Sequence, residues 1–141
     1  MSRYAFLLCA LLFSLATANA QYAKTPAPEG AEVYIISPHD GEVVHGEVTI
    51  QFGLKGMGVA PAGVDLPNTG HHHLLIDVES LPDMNVALPA TDHIKHFGGG
   101  QTETTISLPK GKHTLQLLLA DRNHVPHESP ILSEKIHFSV E

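Results

Sequence analysis

Hydrophobic and polar side chains alternate along much of this 141-residue chain, a pattern that predicts half-buried β-strands. The clearest example is the segment 112–121, where Leu115, Leu117 and Leu119 share one face. Alternation, or enrichment in β-branched and aromatic residues, predicts other strands of similar length. The predicted strands cover residues 32–37, 47–53, 72–79, 101–108, 112–121 and 131–140, and a short strand near 84–88 would make seven.

Long connections rich in glycine and proline separate these strands. The segments 53–70, 80–100 and 122–130 are predicted as loops, and no stretch of the chain has a helical period free of Gly and Pro. Six or seven short strands within about 110 residues are typical of a β-sandwich. We therefore expect an all-β, immunoglobulin-like antiparallel β-sandwich that forms a single domain.

The amino terminus has the pattern of an export signal. A basic residue, Arg3, precedes an apolar run over 4–15, and Ala18-Asn19-Ala20 is a small-residue cleavage motif. We expect a signal peptide over 1–20, a flexible leader over 21–30 and the sandwich over 31–141. The predicted location is the periplasm, without stable membrane insertion after cleavage. Cys9 is the one cysteine, so a cleaved protein would lack disulfides and thiolate ligands.

The charge balance limits the partners. Fifteen acidic and eight basic residues give a net charge of −7 with histidine neutral. Nucleic acids and anionic membranes require basic surfaces, so neither is an expected partner. Eleven histidines make the charge sensitive to pH near 6.5, which keeps a pH-sensing role open.

Candidate chemistry centres on three consecutive histidines that run into the apolar segment Leu74-Leu75-Ile76. The period of a strand places His71 and His73 on one face and His72 on the other. Residues two apart on a strand are separated by about 6.5–7 Å and point the same way, so both can bind one ion. The triplet therefore predicts half of a metal site.

The expected topology supplies companions for this pair. In an immunoglobulin-like sandwich, the loop before the triplet, the loop 80–100 and the loop 122–130 lie at one end. The predicted ligands from these segments are His71, His73, His96, His124 and His127. Secondary candidates are His72, His93, Met57 and His113. Candidates for a carboxylate that orients a ligand are Asp77 and Asp121.

Two of these residues have a second interpretation. Asp77 is equally an exposed charge on a strand, and His113, which shares a face with Leu115, is favoured as a hydrogen-bonded core histidine. A nitrogen-rich site without thiolate suits Cu(II), Zn(II) or Ni(II), and the affinity order favours copper. A thioether from Met57 would favour copper further. We expect a periplasmic metal-binding protein that sequesters, delivers or senses the ion.

The residues also resemble a known family. Its motifs are His-His-His-Leu-Leu-Ile-Asp at 71–77, His-Phe-Gly-Gly-Gly-Gln-Thr-Glu at 96–103 and a segment at 113–127 that ends in His-x-Pro-His. This combination resembles an exported bacterial domain family of unknown function. The resemblance implies a bacterial source, a periplasmic location and a compact β domain, but no activity. The motif positions are His71, His72, His73, His96, Gln101, Thr102, Glu103, His113, His124 and His127.

Two other function classes compete with metal handling. The first is a non-catalytic module that interacts with another periplasmic or envelope protein or senses pH, and it predicts no bound metal. The second, less favoured, is a cupin-like metalloenzyme, since His71-x-His73 and Asp77 are followed by Pro109-x-Gly111-x-His113. That class requires His113 to lie beside His71 and His73. No nucleophile motif supports other catalysis.

Overall fold

The structure, a computed structural model, describes residues 23–141. The predicted signal peptide lies outside this range. Within the described residues no helix forms, so none is long and apolar enough to cross a membrane. The ten strands are β1 Glu32–Ser37, β2 Val43–Val44, β3 Val48–Lys55, β4 Gly58–Val59, β5 Thr69–Ile76, β6 Ile94–His96, β7 Glu103–Ile106, β8 Gly111–Ala120, β9 Pro126–Leu132 and β10 Ile136–Val140.

The strands form two sheets that pack face to face. The smaller sheet has the order β1-β3-β7, and the larger has the order β2-β10-β8-β5-β4. Two further strands join the larger sheet, β6 beside β5 and β9 beside β8. The strands β1, β3 and β7 thus lie in one sheet, and β5, β8 and β10 lie in the other. This division of the strands is that of an immunoglobulin domain. The predicted all-β sandwich is confirmed.

The main core lies between the sheets and follows the predicted alternation. Leu115, Leu117 and Leu119 of β8 are fully buried there, opposite Ile50 and Phe52 of β3. Phe138 of β10 completes the same layer. Burying one such side chain contributes about 1.5–3 kcal/mol, so this layer is a major source of the stability of the fold.

A second apolar cluster covers the outer face of the larger sheet. Leu75 of β5 and Leu118 of β8 pack there against Leu88 and Ile94, which belong to the long connection after β5. The central strands are therefore buried on both faces, which explains their continuous apolar runs. In consequence, a histidine that points outward from β5 is also withdrawn from water.

The third predicted strand was misplaced, because β5 begins three residues before residue 72 and ends at Ile76. Gly70 allows the early start: a Cβ at this position would lie 2.7 Å from the carbonyl oxygen of Ala120. Asp77 ends the strand because it adopts a left-handed backbone conformation with φ 53°. The histidine triplet thus lies inside the strand.

The prediction of a loop over 122–130 was also wrong, since β9 occupies Pro126–Leu132. β9 pairs with β8 alone, and a strand with a free edge tolerates proline. Its register shifts between Leu119 and Ala120 of β8. No strand forms at 84–88, and the connection pairs with β5 through β6 instead.

Part of the predicted leader contacts the domain. The carbonyl of Thr25 accepts a hydrogen bond from the amide of Glu128 at 2.9 Å, and its hydroxyl donates to Asp121 at 3.2 Å. Ala27 packs against the main core. These contacts place the segment beside the turn that follows β8.

Candidate metal centre

Four histidines meet at the outer face of the larger sheet. One ring nitrogen from each of His71, His73, His96 and His124 lies within 4.8 Å of the nitrogens of the other three. The centroids of every pair of rings are 4.5–6.0 Å apart. The four imidazoles therefore surround one point, and no other residue of the described chain joins this group.

Strand register explains why three distant segments converge. His71 and His73 lie two residues apart on β5 and share its outward face. His96 of β6 is the direct partner of His73 across the antiparallel pair β5–β6. His71 is opposite Ala120, the last residue of β8, and the turn after β8 carries His124. Two backbone ladders thus bring all four rings together.

Asp121 holds the turn that presents His124. Its buried carboxylate accepts hydrogen bonds from the amides of Asn123 at 2.8 Å and Val125 at 3.1 Å. The amide of His124 donates to the Asp121 carbonyl at 2.9 Å, and His124 itself has φ 65°. Asp121 therefore positions His124 through the backbone of the turn.

Gly98 determines where the ring of His96 lies. A Cβ at Gly98 would fall 2.2 Å from Cε1 and 2.4 Å from Nε2 of the His96 ring. The ring occupies the space that any other residue at 98 would need. Gly98 was not among the predicted site residues. The run of three glycines that begins two residues after His96 was nevertheless a signal of close packing.

Burial disfavours the charged forms of His71 and His73 and leaves both side chains short of hydrogen bonds. Burial, together with the neighbouring histidines, lowers the pKa of His71 to about 4 and that of His73 to about 3. The pKa of His96 is also lowered, first by burial and then by His124. Nδ1 of His71 and Nδ1 of His73 are buried without a hydrogen-bond partner. A neutral imidazole offers one nitrogen lone pair, and this is the form that binds a metal.

His72 lies on the opposite face of β5, inside the main core. Its side chain is fully buried, its ring is 5.2 Å from that of Phe52, and neither ring nitrogen has a hydrogen-bond partner. Burial lowers the pKa of His72 to about 4, so it is neutral at pH 7. The strand thus separates His72 from the four-histidine group, as its period predicts.

The remaining candidates also lie outside the group. His127 is buried on β9 with an unpaired Nδ1, but the structure does not bring it within reach of the other four nitrogens. His93 is exposed, and its Nδ1 lies 2.9 Å from the carbonyl oxygen of Ile76. Met57 packs against the main core. Of His93 and His96, only His96 joins the group, and of His124 and His127, only His124 does.

His113 forms an ion pair with Asp77 at the far end of β8. Its Nδ1 lies 2.8 Å from Oδ2 of Asp77, and its Nε2 lies 2.7 Å from the carbonyl oxygen of Pro109. Both partners are acceptors, so both ring nitrogens must donate, which requires the imidazolium form. The pair confirms the interpretation of His113 as a hydrogen-bonded core histidine. Asp77 binds His113 and the Thr114 amide, and so does not orient His73.

This placement removes the basis for a cupin-like site. His71 pairs with Ala120 and His113 pairs with Phe138, so they lie at opposite ends of β8, about 20 Å apart at 3.3 Å per residue. A groove of about 600 Å³ on the described chain is lined by Asp77 and His113 and by none of the four clustered histidines.

We expect Asp77→Asn to lower both the pKa of His113 and the stability of the protein. Burial lowers the pKa of His113, but hydrogen bonds to Asp77 and Pro109 and the Asp77 charge outweigh it, and the pKa is raised. The pair's stabilisation is therefore complete below pH 6.5 and is lost as pH rises through the folded pKa. Since Asp77 is partly exposed, we expect a loss of about 1 kcal/mol.

Two measurements test this prediction. An NMR titration of the His113 ring reports its pKa, and urea unfolding at pH 6 and pH 9 reports the stability. The loss in Asp77→Asn should be larger at pH 6 than at pH 9. Asp40→Asn, at the exposed pair formed by Asp40 and His137, is the control. An unchanged His113 titration in Asp77→Asn would contradict the assignment.

Comparison with known proteins adds a family but no activity. Residues 50–141 match the family model described as "Domain of unknown function (DUF4399)". The match covers more than half of the chain, includes all four clustered histidines and confirms the resemblance to a domain family of unknown function. No curated protein and no solved structure matches the chain.

Proposed function

We propose that this chain, which belongs to the family Domain of unknown function (DUF4399), binds one transition-metal ion through four histidines. The ligands are His71, His73, His96 and His124. The observation that carries the proposal is the convergence of four imidazole nitrogens within 4.8 Å of one another.

The geometry is close to that of a bound ion. Metal–nitrogen bonds of about 2.0–2.1 Å place the four nitrogens of a tetrahedral site about 3.3–3.4 Å apart. Nε2 of His71 and Nδ1 of His124 are already 3.1 Å apart. β5 and β6 fix the backbone positions of His71, His73 and His96, so rotation of side chains is the motion available to bring the remaining nitrogens to this spacing.

Energetics also favour an ion at this point. The buried rings of His71 and His73 resist protonation, because burial and the neighbouring histidines lower the pKa of His71 to about 4 and that of His73 to about 3. Within the group, the charge of any protonated histidine would oppose protonation of the others. A metal ion would bind the lone pairs that protons do not occupy at neutral pH.

The donor set narrows the choice of metal. Four neutral nitrogens without thiolate or carboxylate suit Cu(II), Zn(II) and Ni(II), and copper has the highest intrinsic affinity among them. Copper is therefore the proposed ion and zinc the first alternative. Combined with the export signal of the sequence, this suggests a periplasmic protein that sequesters, delivers or senses the metal.

Equilibrium dialysis followed by elemental analysis tests the proposal. Untagged protein covering residues 21–141 is dialysed separately against Cu(II), Zn(II) and Ni(II), with a histidine-free β-sandwich of similar size as a control. One ion per chain, bound most tightly for copper, is the expected result. Substoichiometric uptake of all three metals would reject the metal site and leave the envelope-interaction or pH-sensing module as the better explanation.

A further inference from the structure

We propose that the metal enters and leaves through His96, whose imidazole is exchanged for a nitrogen ligand of an acceptor. This inference rests on the proposed metal site. It assigns delivery, rather than permanent storage, as the purpose of the site. The acceptor is a chelating molecule or protein that offers imidazole or a similar nitrogen donor.

The four ligands are not equally accessible. His71 and His73 are 0% and 1% exposed, His124 is half-buried, and His96 is exposed. An incoming ligand can therefore approach the ion from the side of His96. It cannot reach the inner pair first, because that pair lies on a strand that is covered on both faces.

The ring of His96 can move without unfolding its strand. The neighbouring Phe97 fixes the backbone, since its amide donates to the His72 carbonyl at 3.1 Å and its ring lies 4.9 Å from that of Phe52. By contrast, no hydrogen bond within residues 23–141 holds the His96 ring. The ring packs against the other three imidazoles and lies in the space above Gly98, which a Cβ would fill.

The exchange is balanced without redox chemistry or proton transfer. One metal–nitrogen bond forms to a neutral donor of the acceptor, and the bond to the neutral His96 imidazole breaks. The ion stays held by His71, His73 and His124 during this step. Three remaining nitrogens and one incoming nitrogen conserve four-coordination, the usual number for zinc.

Transfer kinetics with zinc test the proposal. The zinc-loaded protein is mixed with excess 4-(2-pyridylazo)resorcinol, a colour-forming nitrogen chelator, in a stopped-flow instrument. For exchange through His96, the transfer rate should rise linearly with chelator concentration. Gly98→Ala displaces the His96 ring, so it should keep one zinc per chain and raise the second-order rate roughly tenfold, within the range known for residues that orient ligands.

Gly99→Ala is the matched control. A Cβ at Gly99 would meet only the flexible end of the Gln101 side chain, at 2.9 Å, and should leave the rate unchanged. Circular dichroism verifies that both variants fold. In a second test, His96→Ala should bind zinc weakly and regain affinity when free imidazole is added. His73→Ala should not be rescued in this way, because its cavity is enclosed.

The outcomes separate this inference from the proposed function. If zinc binds but its transfer rate does not depend on chelator concentration, the ion leaves before the acceptor arrives and the exchange through His96 is rejected. Equal rates for Gly98→Ala and Gly99→Ala would reject it too, as would a lack of imidazole rescue in His96→Ala. Absence of zinc from the wild-type protein would instead reject the metal site itself.

Discussion

Replacing His71 and His73 together with alanine is expected to abolish metal binding and leave the sandwich folded. Both ligands are fixed by β5, so their loss leaves only His96 and His124, which lie on an edge strand and in a turn. A structural site with four ligands binds with about 10–16 kcal/mol, or about 2.5–4 kcal/mol per ligand. Each single variant should therefore lose roughly a hundredfold in affinity, and the double variant about 10⁴-fold or more.

The neighbouring residue provides the control, measured by the same isothermal titration with Cu(II) and Zn(II). His72→Leu removes a histidine from the same triplet with the same burial but from the other face of the strand. Its metal affinity should equal that of the wild type. Stability should stay equal or rise by about 1–3 kcal/mol, because two unpaired buried nitrogens disappear. If His72→Leu lost the metal as well, the assignment of ligands by strand face would be wrong.

The alternation of side chains was sufficient to predict the sandwich. On β3 and β8, Ile50, Phe52, Leu115, Leu117 and Leu119 face the core as expected, because one face of each strand packs against the opposite sheet. That information is local, since period two fixes which residues share a face. It does not specify which strands pair.

Failures of the sequence prediction came from tertiary contacts. The prolines of β9 are typical of a loop, yet Ile131 and Leu132 find partners on β8 and an edge position tolerates proline. The start of β5 depends on the close approach of Gly70 to β8, and its end depends on the left-handed backbone of Asp77, whose side chain contacts His113. None of these contacts leaves a periodic signal in the sequence.

The candidate site was predictable from the sequence only in part, as far as the strand period determines which side chains share a face. The strand period separated His72 from its two neighbours on β5. Choosing His96 over His93 requires the register of the pair β5–β6, and choosing His124 over His127 requires the left-handed turn that Asp121 closes. Both choices depend on backbone geometry that spacing in the sequence does not encode.

Acidification below pH 6.5 is expected to destabilise the metal-free protein steeply. Burial lowers the pKa of His71 and His72 to about 4 and that of His73 to about 3. An unfolded histidine titrates near 6.5, so between this pH and about pH 4 the unfolded chain binds three more protons than the folded one at these positions alone. The lowered pKa of His96 and of His127 acts in the same direction. Stability should then fall by about 4 kcal/mol per pH unit, against a total of about 5–15 kcal/mol. The raised pKa of His113 acts above pH 6.5 and leaves this slope unchanged.

Urea unfolding of chelator-treated protein, followed by far-ultraviolet circular dichroism at several values of pH, measures this slope. His72→Leu removes one of these protons without changing the metal site, so its slope should fall by about 1.4 kcal/mol per pH unit. His137→Gln, which removes an exposed histidine, should reproduce the wild-type slope. A wild-type stability that does not fall between pH 6 and pH 4, or a His72→Leu slope equal to that of the wild type, would show that these imidazoles are not buried in their neutral form.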